Sequence, residues 1–217
     1  RRSSDLVFRC IDDSLVSEFV PFRQYKTLDQ LFQEAELWLV NSDQLLEYVH
    51  PMTPSVVEVG GLTTHPPKAL PKDLEQLVSS VKDGMVVVSF GSMIKALPLN
   101  ITKKFIAAFS HIKQLVVWRY DGEPLTGVKV PPNVKLMKWL PQNDLLGHPN
   151  TKLFITHCGN NGQFEALYNG IPMIGFPLIG DQPSNARRMH YKQYGIAMDP
   201  FNFEPEDLIR NIKTLLD

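Results

Sequence analysis

From Met85 onward short apolar runs alternate with amphipathic stretches, and this alternation most narrows the folds open to the chain. Candidate strands are Met85 to Phe90, Gln114 to Trp118, Val134 to Lys138, Leu153 to Thr156, Pro172 to Gly175 and Gly195 to Met198. Between the first two, Ile101, Phe105, Ala108, Phe109 and Ile112 recur at helical spacing over Pro98 to Ile112, and Pro98 suits a first turn. Further helices are predicted over Ser184 to Tyr194 and Pro205 to Leu216. Alternation of this kind predicts an α/β fold: a parallel sheet with helices on both faces and ligands at the carboxyl ends of the strands. Ser92, Arg119, Trp139, His157 and Asp181 all follow such ends.

The chemistry concentrates in Phe154 to Gln182. An apolar run, Leu153-Phe154-Ile155, reads as a buried strand, Cys158-Gly159-Asn160-Asn161-Gly162 as a tight turn, and Asn161 to Tyr168 as a helix closed by Asn169-Gly170. A strand turning sharply into a helix aims free backbone N–H groups above the sheet edge, which suits phosphate. His157 can donate to a diphosphate oxygen. Asn161 and Glu165 lie four apart on one helix face, so Asn161 and the Gly162 N–H serve phosphate while Glu165 accepts two ribose hydroxyls. Asp181 and Gln182 arrive at the same edge, where an acid beside an amide can hold adjacent hydroxyls of a sugar. Singly, a His before a Gly-rich turn is a capping residue and an exposed Glu a solvated one. In this order, at one sheet edge, they read as a ligand site.

These residues carry a resemblance. The run Phe154-Ile155-Thr156-His157-Cys158-Gly159, followed by Gly162, Glu165, Pro172, Pro177 and Asp181-Gln182, resembles the signature of the UDP-glycosyltransferases, closer to the animal UDP-glucuronosyltransferases than to the plant enzymes. Glu36 to Ser42, Val59-Gly60-Gly61, Val88 to Met93, Val117 to Tyr120 and Lys138 to Pro149 are similar to family segments in family order. The resemblance implies a GT-B glycosyltransferase fold. It places Trp139 on the uracil ring, Gln142 against the uridine, Ser92 and Arg119 at the diphosphate, and Asp181 with Gln182 at the sugar. The implied reaction moves a sugar, with inversion, from UDP-glucuronic acid or UDP-glucose to a small lipophilic acceptor. No metal or other cofactor is expected: Asp12-Asp13 is not the Asp-x-Asp of metal-dependent sugar transferases.

The resemblance also implies domain limits. Residues 1–64 correspond to the end of an acceptor-binding N-terminal domain, 65–83 to a linker marked by Pro66, Pro67 and Pro71, and 84–217 to most of the UDP-sugar-binding C-terminal domain. Within the first part, helices are expected over Thr27 to Glu36 and Asp43 to Tyr48, and strands over Leu37 to Val40 and Val56 to Val59. That is too little sheet to close a core, so those strands should expose apolar surface. The family's catalytic His base and its partnering Asp belong to the missing N-terminal part, so no catalytic residue is assigned and the chain alone is expected to be inactive. A non-catalytic UDP-sugar-binding module, or a half-enzyme needing a partner acceptor domain, is the alternative.

The resemblance implies endoplasmic reticulum membrane placement on the lumenal side, through an anchor absent from this sequence, and it allows a homo-oligomer. The chain has no run of about 20 apolar residues. A net charge of −1 gives no general attraction to nucleic acid or anionic membrane. Cys10 and Cys158 indicate neither a disulfide scaffold nor a Cys-based metal site, and Asn100-Ile101-Thr102 is a glycosylation sequon. A dehydrogenase is disfavoured because Gly-x-Gly-x-x-Gly is absent, and a GT-B-shaped sugar-nucleotide hydrolase or epimerase because it would not keep Trp139-Leu140-Pro141-Gln142.

Overall fold

The computed structural model describes residue 18 and residues 28–216; Cys10, Asp12-Asp13 and Thr27 lie outside the described residues. The chain divides into two compact units, one of Arg1–Val40 with His50–Val59, the other of Asn41–Val49 with Gly60–Asp217.

In the first unit, helix α1 (Leu28–Gln33) precedes strand β1 (Trp38–Val40), which pairs in parallel with β2 (Val56–Glu58), Trp38 opposite Val56. Leu37, Trp38, Leu39, Val40 and Val57 are exposed, as the shortage of sheet predicts. The helix expected over Asp43 to Tyr48 is only a turn: Leu46 and Glu47 N–H both bond Asp43 O, and the Asp43 carboxylate takes the Leu45 N–H. Asp43 caps this single turn, and Pro51 lies just beyond it, where it disfavours a helical conformation for the residue before it.

The second unit is built on β3 (Met85–Ser89), β4 (Leu115–Arg119), β5 (Val134–Met137), β6 (Thr151–Thr156), β7 (Met173–Gly175) and β8 (Gly195–Ala197), all parallel, in spatial order β5-β4-β3-β6-β7-β8. The central strands are apolar on both faces for most of their length because helices cover both faces. Successive residues alternate between two cores. Val86, Val88, Val116, Trp118, Leu153 and Ile155 point to one, and Met85, Val87, Leu115, Val117 and Phe154 to the other. The first core is closed by α3 (Leu99–Phe109) and α7 (Pro205–Leu216) and centres on Phe105, ringed by Phe90, Phe109, Trp118, Phe176 and Phe203. The second is closed by α2 (Lys72–Ser79), α4 (Gln142–Leu146), α5 (Asn160–Tyr168) and α6 (Gln182–Tyr191).

Two of these helices are not among those expected from the sequence. Helix α2 falls inside the expected linker, and Leu70, Leu74 and Val78 pack in the core with Met85 and Val87. Those three recur every fourth residue, a helical face hidden behind Pro66, Pro67 and Pro71. Helix α4 is too short for a periodic signal, yet it buries Leu145 and Leu146. Residues 41–49, which chain order places with the first unit, pack with the second.

Candidate functional site

The strand order reverses between β3 and β6, neighbours in the middle of the sheet. The chain leaves them in opposite lateral directions, so a crevice opens outside their carboxyl ends, the usual ligand position in such sheets. A cavity of about 590 Å³ occupies it, lined by Ser89 at the end of β3, Gly91 and Ser92 after it, Arg119 at the end of β4, Trp139 to Asp144 after β5, His157 and Gly159 to Gly162 after β6, and by His65, Glu165 and Asp181. Of the residues assigned to donor binding from sequence, Ser92, Arg119, Trp139, Gln142, His157, Asn161, Gly162, Glu165 and Asp181 all line this one cavity; Gln182 does not.

At its floor the His157 ring lies against two glycines. A Cβ on Gly91 or on Gly159 would come within 2.6 Å of His157 Nε2, and Gly91 also has φ +78. Glycine is needed at both positions for the ring to enter. Burial lowers the His157 pKa, against the opposing pull of the Asp181 charge and a backbone hydrogen bond with Ser89, so the imidazole is neutral at pH 7. The turn continues through Cys158, held at φ 66, and the fully buried thiol is pushed up to about 12. Helix α5 then starts with Gly159 at its N-cap and no side chain capping it. Its first N–H groups have no intrahelical acceptor, and with the helix dipole they favour an anion at that end.

On one wall Trp139 is 68% exposed, whereas Trp118, one strand away, is 1% exposed and belongs to the core. An indole placed only to fill space would be buried like Trp118; Trp139 presents its ring to the cavity. The Arg119 guanidinium lies 5.8 Å from the Trp139 ring centroid, a cation–π distance. Gln142 Nε2 donates to Glu165 Oε2 at 2.6 Å, and burial raises the Glu165 pKa while this bond lowers it. Nearby, buried Asn143 donates to His65 O at 2.8 Å, and among the described residues its Oδ1 and the Arg119 Nε are buried without a partner. Unpaired buried polar atoms cost stability unless a ligand or water meets them, so their clustering here marks a polar site.

Two assigned residues also make hydrogen bonds that shape the loops around the cavity. Arg119 Nη1 donates to Gly91 O and to Ile94 O at 3.1 Å, and Nη2 to Ser92 O at 3.3 Å. Its guanidinium therefore braces the loop after β3. Gln182 is buried, and its Oε1 accepts the N–H groups of Leu178 at 2.8 Å and Ile179 at 2.9 Å, which fixes the turn leading to Asp181. Asp181 itself lines the cavity and accepts a 2.6 Å bond from Asn185 Nδ2. His65, Ser89, Asn143 and Asn160 also line the cavity without having been singled out from sequence. Only Asn160 carried a local signal, its place in the turn before α5. Among the described residues no group of three or more His, Cys, Asp or Glu side chains is placed to share a metal ion, and no helix is long and apolar enough to cross a membrane.

The profile of the family described as UDP-glucoronosyl and UDP-glucosyl transferase matches residues 3–217. The chain is 42% identical over 192 residues to UDP-glucuronosyltransferase 2B17 of Rattus norvegicus, covering 88% of this chain and 36% of that protein. It is 38% identical over 208 residues to UDP-glucuronosyltransferase 3A1 of Bos taurus, covering 94% of this chain and 40% of that one. It thus spans less than half the length of these curated relatives. Among solved structures, a UDP-glucosyltransferase from Polygonum tinctorium superposes with a TM-score of 0.68 at 26% identity, over 84% of this chain and 45% of that one. The calicheamicin glycosyltransferase CalG4 superposes at TM-score 0.67 and 20% identity over 100% of this chain and 52% of that one, a likeness of fold within the GT-B class.

Proposed function

This chain belongs to the UDP-glucoronosyl and UDP-glucosyl transferase family, and from that premise we propose that its cavity binds the donor of a UDP-sugar glycosyl transfer. The observation that carries the reading is the continuity of one cavity from the exposed Trp139 ring, past the Gln142–Glu165 pair, to the N-terminus of α5. Uracil stacks on Trp139 with Gln142 against the uridine, a platform worth roughly 1–3 kcal/mol per base. The free oxygen of Glu165 accepts ribose hydroxyls. The α5 N–H groups, the Asn161 amide and neutral His157 donate to the diphosphate, with Ser92 beside them. Asp181 receives hydroxyls of the sugar, on a turn that Gln182 holds in place.

During inverting transfer the acceptor oxygen attacks the anomeric carbon, the bond to the β-phosphate oxygen breaks, and negative charge gathers on the leaving UDP. Donors already aimed at that oxygen gain strength as the charge develops. We assign this role to the α5 N-terminus and His157, with Arg119 acting through the loop it braces, and expect no metal. The donor is UDP-glucuronic acid or UDP-glucose and the acceptor a small lipophilic molecule. In this reading the first unit, residues 1–40 with 50–59, belongs with an acceptor-binding domain, the whole enzyme acts on the lumenal face of the endoplasmic reticulum membrane, and the chain by itself supplies donor binding without turnover.

Calorimetry separates the assigned subsites. His157→Ala should weaken UDP and UDP-glucose alike, on the scale of a charge-assisted hydrogen bond, roughly tenfold or more. Asp181→Ala should leave UDP affinity nearly intact and reduce only that for the UDP-sugar. Equal losses for both ligands in Asp181→Ala would remove the sugar role. Sugar transfer to phenols by the 217-residue chain, abolished by His65→Ala, would place the base here and overturn the donor-only reading.

A further inference from the structure

The α5 N-terminus does not hold its own polar side chains in place; a residue 120 positions upstream does. Asn41 Nδ2 donates to Asn161 Oδ1 at 3.3 Å, Asn41 Oδ1 accepts the Gly61 N–H at 3.1 Å, and Asn41 O accepts from Asn160 Nδ2 at 3.0 Å. An amide side chain has two ends of similar shape, and its orientation is set by partners that have no choice of role. A backbone N–H can only donate, so Gly61 requires the Asn41 oxygen on its side. The Asn41 NH₂ is thereby turned to Asn161, and Asn161 must answer with its oxygen.

A second relay is fixed in the same manner. Arg188 has no acceptor and donates to Asn160 Oδ1 at 3.1 Å, which leaves the Asn160 NH₂ for Asn41 O. Arg188 is in turn paired with Glu47, and Lys192 Nζ reaches Leu45 O at 3.0 Å. Residues 41–49 are therefore bound along α6 and the start of α5, within one compact unit. Both ends of the Asn160 amide are engaged by these partners, which fixes its orientation. Asn161 lines the cavity, and among the described residues its amide is held through its oxygen, by Asn41.

We infer that Asn41 is a positioning residue for the donor, turning the Asn161 amide so that its NH₂ rather than its oxygen meets the diphosphate. The inference rests on the diphosphate lying at the α5 N-terminus. Without Asn41 the amide rotates freely, and for part of the time presents an oxygen to an anion.

The test is a double-mutant cycle between Asn41→Ala and Asn161→Ala, read by calorimetry with UDP and with uridine, which lacks the phosphates. Asn41→Ala should weaken UDP binding roughly tenfold, on the scale of one hydrogen bond to a charged group, and leave uridine binding unchanged. In the Asn161→Ala background the further change to Asn41→Ala should cost UDP nothing. Unchanged uridine affinity shows that each variant still folds. Additive losses of UDP affinity, or equal losses for UDP and uridine, overturn the inference and make Asn41 a structural residue only. Wild-type protein that binds UDP no more tightly than uridine overturns the diphosphate reading itself, and this inference with it.

Discussion

Strand β3 reads Met85-Val86-Val87-Val88-Ser89 and every residue of it is buried, whereas β1 reads Trp38-Leu39-Val40 and every residue of it is exposed. Both are short, apolar and parallel-paired. The difference lies in their neighbours: β3 pairs with β4 and β6 and is covered on both faces by helices, while β1 pairs with β2. A two-stranded sheet is marginal alone, since it cannot remove its side chains from water. An apolar strand is thus only an offer of burial, and its stability depends on what packs against it. The candidate donor site stands on the six-stranded sheet, whose central strands β3, β4 and β6 are almost wholly buried, so its geometry is held by the stable part of the chain.

The widest separation between the two regions should appear in stability. Phe105→Ala empties the centre of the aromatic cluster and should cost about 3–5 kcal/mol, while Leu39→Ala on the exposed strand should stay within about 0.5 kcal/mol. Urea unfolding of both variants measures this, and comparable losses would break the contrast. The two tryptophans sharpen it next. Trp139→Ala should lower UDP affinity by roughly 1–3 kcal/mol and barely change the unfolding midpoint. Trp118→Ala should do the reverse, losing about 3–5 kcal/mol of stability. A folded Trp139→Ala protein with unchanged UDP affinity would remove the stacking platform.

Acidification provides a smaller effect with a definite sign. The His157 pKa is depressed in the folded chain, so below the ordinary value of 6.5 the unfolded chain binds more protons. Stability is then full above pH 6.5 and declines as pH falls toward the folded-state value. His157→Asn should flatten that part of the profile in thermal unfolding. Glu165 is shifted the other way by burial, so its carboxylate is protonated at a pH above the ordinary 4.5. UDP affinity should therefore begin to fall on acidification before an unperturbed glutamate would titrate, and Glu165→Gln should lose that dependence. The smallest effect is expected at Cys158, whose buried thiol, pushed up to about 12, should resist alkylation until the chain unfolds.

The strand–helix alternation, the carboxyl-end placement of the polar residues and the family signature were all legible in the sequence, because each is written in short-range spacing. Periods of two and of three to four residues show which segments bury a face, and Phe154 to Gln182 carries its chemistry within one strand–turn–helix. The strand order that makes β3 and β6 neighbours and opens the cavity between their ends was decided only when the segments packed. So were the bracing of the β3 loop by Arg119, the burial of Gln182 beneath its own turn, and the attachment of residues 41–49 to the donor-site helix. A hydrophobic face is a property of the segment that carries it. A hydrogen-bond partner depends on which distant loop arrives, and Asn41 meets Asn161 only because the fold brings together two residues 120 positions apart.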